Sequence, residues 1–173
     1  MMRGRMDTVR WFAYALGIFV LYLLGATPGF FPAVQGVLPV PLAAAALAVA
    51  MFEAELPGMA FGIAAGVLID FGMGSVMGFH AVVLALLCFA ASWLCRNLFK
   101  VNFLTCAVLT MLGTAILFVL QWMFFHLFAG QPGAGHILVR YIIPRIVYSA
   151  LFCTLAYPVA KALFNASTLR AGS

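Results

Sequence analysis

Charged residues are scarce in this chain: Asp, Glu, Lys and Arg make up 8% of its 173 residues, whereas 66% are apolar. Soluble domains carry about a quarter charged residues, so a chain this poor in charge cannot cover a water-facing surface. Its nine Lys and Arg are dispersed and form no basic stripe of the kind that follows nucleic-acid phosphates. The composition predicts an all-α polytopic membrane protein and argues against nucleic-acid binding.

Cysteine is also scarce, and its four occurrences stand alone within apolar runs. No CxxC pair is present, and no Cys/His spacing is typical of zinc. We therefore expect small, buried packing residues rather than a disulfide framework. These residues are Cys88, Cys95, Cys106 and Cys153.

Sequence motifs of catalysis are missing. The chain has no nucleophile elbow, no HExxH motif, no P-loop lysine motif and no acid pair. His80, His126 and His136 with Asp70 could in principle form a metal site, but their separations match no local ligand motif. We expect no enzyme activity, no catalytic residues and no cofactor.

Long apolar runs separated by breaker residues predict a single membrane domain, 1–173, built as a six-helix bundle. A spanning helix needs about 20 mainly apolar residues. The second and third predicted helices are short, and a re-entrant hairpin is the alternative for that pair. The predicted helices cover 10–27, 40–54, 57–71, 79–96, 101–128 and 137–164.

The first apolar run follows basic residues, as the core of a signal peptide does. Cleavage after Ala26 would place Leu24 where a small residue is needed, so we expect an uncleaved helix.

The distribution of basic residues predicts the topology. With the amino terminus in the cytoplasm, six crossings place seven basic residues inside and two outside, which agrees with the positive-inside rule. We therefore expect a protein of the bacterial inner membrane with both termini cytoplasmic. The inner residues are Arg3, Arg5, Arg10, Arg96, Lys100, Lys161 and Arg170, and the outer ones are Arg140 and Arg145. Near the outer half we expect Asp70, His80, His126, His136, Arg140 and Arg145.

Residues 62–78, "GIAAGVLIDFGMGSVMG", contain a four-residue ladder: Gly62, Gly66, Asp70, Gly74 and Gly78. Residues four apart share a helix face. Gly62 and Gly66 thus form a small-residue groove that lets a neighbouring helix approach closely, and Asp70 lies one turn further along.

A carboxylate at membrane depth costs about 2.5–3.5 kcal/mol on insertion scales, so Asp70 needs a partner. It can cap backbone amides of the "FGMGS" turn, pair with Arg140 or Arg145, or bind a substrate or ion. We favour the two structural options, because no other group completes a ligand site.

As one pattern, G-x3-G-x3-D-x3-G-x3-G with Ser75 after Gly74 closely resembles the signature of the MreD family. MreD is the small integral-membrane component of the bacterial rod-shape system, the elongasome. The resemblance covers most of the chain and is specific over 62–80. The last helix is similar to the family's proline, tyrosine, proline arrangement, at Pro144, Tyr148 and Pro158.

The resemblance implies a non-enzymatic scaffold that binds MreC and supports RodA and its elongation-specific penicillin-binding transpeptidase. MreB is an indirect partner, and the outcome is side-wall peptidoglycan synthesis and cell shape. The implied fold is similar to the six-helix substrate-binding subunits of energy-coupling-factor transporters.

The proline-rich segment 28–41 predicts an ordered loop or re-entrant piece. Candidate contacts for the partner's helix are Phe30, Phe31, Pro144 and Tyr148.

The alternative function is the substrate-binding membrane subunit of a vitamin transporter of the energy-coupling-factor type. Ala13 and Gly17 have the spacing of the small-residue patch by which such subunits dock, although we favour ordinary helix packing as the explanation. A substrate pocket needs convergent polar groups. The available ones are Gln121, Trp122, His126 and Arg140.

Overall fold

The computed structural model describes residues 2–27, 40–73, 78–98, 101–128, 135 and 138–171. Over these residues the structure is helical, with no β-strand, as the composition predicts. One turn of π-helix, Met123–Leu127, directly follows α5, and another, Leu138–Ile142, directly precedes α6. The α-helices are α1 (Met2–Ala26), α2 (Pro41–Ala50), α3 (Glu55–Met73), α4 (Phe79–Asn97), α5 (Phe103–Trp122), α6 (Ile143–Leu151) and α7 (Cys153–Ala171).

Five helical stretches of the described residues are long and apolar enough to cross a membrane, one fewer than the sequence predicts. The exception is α2, whose ten residues extend about 15 Å, half of a ~30 Å hydrocarbon core. The predicted helix 40–54 is too long because the chain turns at 51–53. The five stretches are Thr8–Ala26, Glu55–Gly72, Phe79–Asn97, Phe103–His126 and Arg140–Asn165.

Two other predicted helices differ from the structure. The third is longer than 57–71, because Pro57 lies in the first turn of α3, where its missing N–H breaks no intrahelical bond. The sixth is not continuous: α6 ends at Leu151, Phe152 forms a turn, and α7 then continues through Pro158. The interruption of the last helical stretch thus lies six residues before Pro158.

The short helix α2 forms the centre of the bundle. All ten of its residues are buried, and it packs against all six other α-helices. Its sequence, "PLAAAALAVA", is apolar on every side, as expected of a helix with no solvent-facing or lipid-facing surface. The alanines allow the surrounding helices to approach it closely.

Serine side chains from neighbouring helices bind both ends of α2. At its start, the Val40 N–H donates to Ser149 Oγ of α6 over 3.0 Å. At its end, Ser92 Oγ of α4 donates to the Ala50 carbonyl over 2.6 Å. Unpaired backbone groups are costly away from water, so these two bonds allow the helix to begin and end inside the protein.

The bundle has two distinct ends. At the basic end, a cavity of about 580 Å³ is lined by Arg10, Arg96, Lys161 and Glu53 among others. The beginning of α1 and the end of α7 meet there, since the Arg10 guanidinium lies 5.3 Å from the centroid of the Phe164 ring. At the other end, here named the Asp70 end, α3 finishes and α4 begins.

Candidate functional site

The described part of the glycine ladder forms the contact between α3 and α4. A Cβ on Gly62 would lie 2.7 Å from the Leu84 carbonyl oxygen. A Cβ on Gly66 would overlap the backbone of Ala81 and lie 2.6 Å from the His80 carbonyl oxygen. Any larger residue would push the two helices apart, so the predicted close approach is present at both positions.

Gly58 extends this contact by one more step towards the basic end. A Cβ there would overlap Ser92 Oγ, the hydroxyl that binds the end of α2. Gly58 is not part of the ladder predicted from the sequence, which begins at Gly62. The signal was available, because Gly58 precedes Gly62 by the same four-residue spacing.

Asp70 caps the beginning of α4. Its Oδ2 accepts the Gly78 N–H over 2.9 Å, and its Oδ1 accepts the His80 N–H over 3.3 Å. Gly78 precedes the helix with a φ of +98°, a conformation that favours glycine. The first amides of a helix have no intrahelical acceptor and carry a partial positive charge, so a carboxylate there is well placed.

The carboxylate of Asp70 also meets a buried imidazole. His80 Nδ1 lies 2.6 Å from Asp70 Oδ1, and the two side chains are at most 2% exposed. Asp70 and His80 were predicted at the same end of the bundle, but a contact between their side chains was not predicted. The available signal was that His80 falls in the first turn of the helix that follows the ladder.

The contacts of Asp70 bear on the three options drawn from the sequence. A backbone cap is present: among the described residues, the amides of Gly78 and His80 at the beginning of α4 donate to Asp70. Of the arginines proposed as partners, Arg140 is exposed, and the Arg145 guanidinium lies 4.9 Å from the Phe118 ring centroid. Gly74 and Ser75 lie outside the described residues.

The other polar groups of the Asp70 end are carried by α5 and the two π-helical turns. Gln121 and Trp122 end α5, His126 lies in the first π-turn and Arg140 in the second. Gln121 Oε1 and His126 Nδ1 are buried without a hydrogen-bond partner among the described residues. Turns of π-helix are rare and are frequent at functional sites. These groups are the ones that the transporter alternative requires.

The residues considered for a metal site or for partner contacts lie in different parts of the chain. The described residues contain no group of three His, Cys, Asp or Glu side chains that could hold a metal ion. His136, Phe30 and Phe31 lie outside the described residues. Pro144 and Tyr148 are half-buried, with the Tyr148 ring 6.0 Å from that of Phe152.

The basic end contains a buried ion pair that the sequence analysis did not predict. Arg10 Nε lies 2.7 Å from Glu53 Oε1, and Arg10 Nη2 donates to Glu53 Oε2 over 3.0 Å. The Trp11 indole N–H donates to the same Oε2 over 3.1 Å. These bonds tie the beginning of α1 to the end of α2.

Two further cations surround this pair. Arg96 forms an ion pair with Glu55 over 2.9 Å, and both side chains are partly exposed. The Lys161 ammonium lies 5.5 Å from the centroid of the Tyr157 ring. The basic end thus combines cations with aromatic rings.

All four cysteines are buried and free, in agreement with their predicted role in packing. Two of them are neighbours: Cys106 Sγ of α5 lies 3.0 Å from Cys153 Sγ of α7, next to Thr110. The isolated positions of these residues in the sequence gave no sign of this proximity.

Comparisons of the chain with protein-family models, with curated proteins and with solved structures find no match.

Proposed function

We propose that this chain is a non-enzymatic membrane scaffold of the MreD kind. In this role it binds MreC and supports RodA and its transpeptidase in side-wall peptidoglycan synthesis and cell shape. Its place is the bacterial inner membrane, with the basic end and both termini in the cytoplasm. The proposal rests on the sequence pattern of the ladder, on the contacts of Asp70 and on the close packing of α3 against α4.

The observation that carries the proposal is the environment of Asp70. Its two oxygens accept the backbone amides of Gly78 and His80, and one of them contacts the His80 ring, so this carboxylate joins the end of α3 to the beginning of α4. A transport or catalytic carboxylate would instead face a ligand cavity. The cavity of the basic end and an apolar groove between α1, α2 and α7 are lined by other residues.

The close contact between α3 and α4 supports the same role. Glycine at 62 and 66 brings the α4 backbone against α3, and the Asp70 cap holds the beginning of α4 in place. A scaffold requires a surface of constant shape for its partner's helix, and such packing holds two helices in one geometry.

The experiment is co-purification with MreC, the single-span partner protein, using Asp70→Ala, Asp70→Asn and the carboxylate control Glu55→Gln. Asp70→Ala leaves buried amides without an acceptor, so we expect a loss of about 3 kcal/mol in stability, with lower folded yield and MreC recovery. Asp70→Asn keeps one acceptor and should fall between wild type and Asp70→Ala. Glu55→Gln should behave as wild type, because its ion pair is exposed.

The readouts are monodisperse elution in detergent, MreC recovered per folded chain, and rod shape in cells. The scaffold proposal is wrong if Asp70→Ala folds, binds MreC and supports rod shape as wild type does.

The second candidate is the vitamin-binding transporter subunit, which the buried, unpartnered Gln121 Oε1 and His126 Nδ1 favour. Its test is mass spectrometry of small molecules released from the purified chain, with a search for co-purifying transport ATPases. A tightly retained vitamin would replace the scaffold proposal, and retention should then fall in Gln121→Leu.

A further inference from the structure

An apolar groove runs along the side of the bundle between α1, α2 and α7. It encloses about 340 Å³ and is lined almost wholly by aliphatic side chains. Ala45 and Val49 of α2 line its inner side, with Gly17 of α1 and Val159 of α7 at its two edges. The groove offers no set of hydrogen-bonding groups for a polar ligand.

The groove is open to the surroundings of the bundle and has a defined length. Leu155 and Val159 on its α7 edge are 66% and 59% exposed, and a Cβ on Gly17 would meet no atom within 4 Å. Along α1 it extends from Ala13 to Leu24, about 16 Å at 1.5 Å per residue. That length is about half of a ~30 Å hydrocarbon core, the depth of one leaflet.

One end of the groove lies one helical turn from the cavity of the basic end. Arg10 and Trp11 line that cavity one turn before Ala13 and Tyr14 line the groove. On α7, Lys161 lines the cavity and Leu163 the groove. The apolar groove therefore leads to a cavity lined by three cations, Arg10, Arg96 and Lys161, and one acid, Glu53.

We propose that this groove holds one acyl chain of an anionic phospholipid, with its phosphate beside Lys161 at the basic end. Charge complementarity selects the headgroup: the cavity is lined by more cations than acids, and basic pockets between membrane helices on the cytoplasmic side bind anionic headgroups. Trp11 adds an indole at the height where such rings meet headgroups.

The length and the apolar lining of the groove suit an acyl chain. The groove encloses about 340 Å³, which suits a single slender chain.

The test is native mass spectrometry of the whole purified chain in detergent, incubated with phosphatidylglycerol or with phosphatidylcholine. We expect one phosphatidylglycerol molecule to be retained and phosphatidylcholine to be retained weakly. Lys161→Gln removes one exposed cation and should weaken phosphatidylglycerol binding about fivefold. The control Arg140→Gln removes an exposed cation at the opposite end and should not change binding.

A second pair of variants tests the groove itself. Gly17→Leu places a side chain in the groove, whereas Gly25→Leu, on the same helix and also in open space, does not line it. Gly17→Leu should lower phosphatidylglycerol occupancy at least fivefold, and Gly25→Leu should leave it at the wild-type level. Equal retention of both lipids, or unchanged occupancy in folded Gly17→Leu, would overturn the proposal.

One further outcome separates this proposal from the scaffold function. Loss of MreC binding in Gly17→Leu with unchanged lipid occupancy would assign the groove to a partner's helix and refute the lipid site. Because the lipid assay uses the chain alone, its result does not depend on whether MreC is the partner.

Discussion

Glu53 illustrates what a buried charge requires in this fold. It is 5% exposed, yet both of its oxygens lie within 3.0 Å of Arg10 guanidinium nitrogens, and one also accepts the Trp11 indole N–H. Removing one member of such a buried pair leaves the other charge uncompensated. Glu55, two residues later, pairs with Arg96 in an exposed position, where the interaction is screened by solvent. The two acids thus form a matched comparison.

Glu53→Gln should lower the free energy of unfolding by about 3 kcal/mol, because Arg10 loses its counter-ion. Glu55→Gln should change it by less than about 1 kcal/mol. The measurement is unfolding of the purified protein in mixed micelles with increasing denaturing detergent, followed by circular dichroism. Equal unfolding midpoints for the two variants would show that the buried ion pair contributes no more to stability than the exposed one.

At this scale the sequence predicted the need for a partner but not the partner itself. The cost of a carboxylate in an apolar stretch correctly indicated that Asp70 is satisfied structurally, and His80 emerged only in the structure. The ion pair of Glu53 is likewise with a distant residue, Arg10, 43 residues earlier. Pairs of this kind depend on helix packing, which no local pattern records.

Among the helices, α3 is the one whose contacts follow most directly from its sequence. Four-residue spacing places Gly58, Gly62 and Gly66 on one face, and at each position an added Cβ would be too close to atoms of α4. At Gly66 the obstacle is the α4 backbone, which cannot rotate out of the way as a side chain can. The position should therefore be the least tolerant of the three.

Gly66→Ala should destabilise the bundle by about 1–3 kcal/mol, since overpacking forces the backbone to shift. Gly25→Ala is the control, because its added Cβ meets no atom within 4 Å and alanine is the better helix former. The melting temperature of each variant in detergent provides the comparison. A Gly66→Ala melting temperature at or above that of Gly25→Ala would mean that α3 and α4 are less tightly packed than described.

Other elements were harder to predict for identifiable reasons. Helix α2 was drawn too long because a run that is apolar on every side gives no periodicity to mark its ends. The break at Phe152 is preceded and followed by ordinary helix formers, with no glycine or proline to signal it. The composition was enough to predict the helical class, whereas the point at which each helix ends depends on its contacts with neighbouring helices.

For the whole molecule, the chain begins and finishes at the same end. Arg10 of α1 contacts Phe164 of α7, and both line the cavity of the basic end. Arg140 and Arg145 belong to the opposite end, near the beginning of the last helical stretch. The proposed cytoplasmic placement of both termini requires α1 and α7 to share an end in this way.

Reporter fusions to the two termini should therefore give the same answer. A fluorescent protein that matures only in the cytoplasm should fluoresce at either terminus, and an enzyme active only outside should be inactive at both. The same outside-active enzyme inserted directly after Phe128 should be active, because the π-helical turn before Phe128 contacts the beginning of α4 at the Asp70 end. Opposite signals from the two termini would contradict an arrangement in which α1 and α7 share an end.

The hydrogen bond between Val40 and Ser149 also imposes an order on biosynthesis. Its donor and acceptor are 109 residues apart, so the ribosome must complete most of the chain before the beginning of α2 gains its acceptor. Ser92, which binds the other end, is also translated after α2. Since α2 is too short to be held as an independent span, its final placement follows synthesis of α4 and α6. A nascent chain that stalls before Ser149 therefore presents an incompletely docked α2 to the quality-control machinery of the membrane.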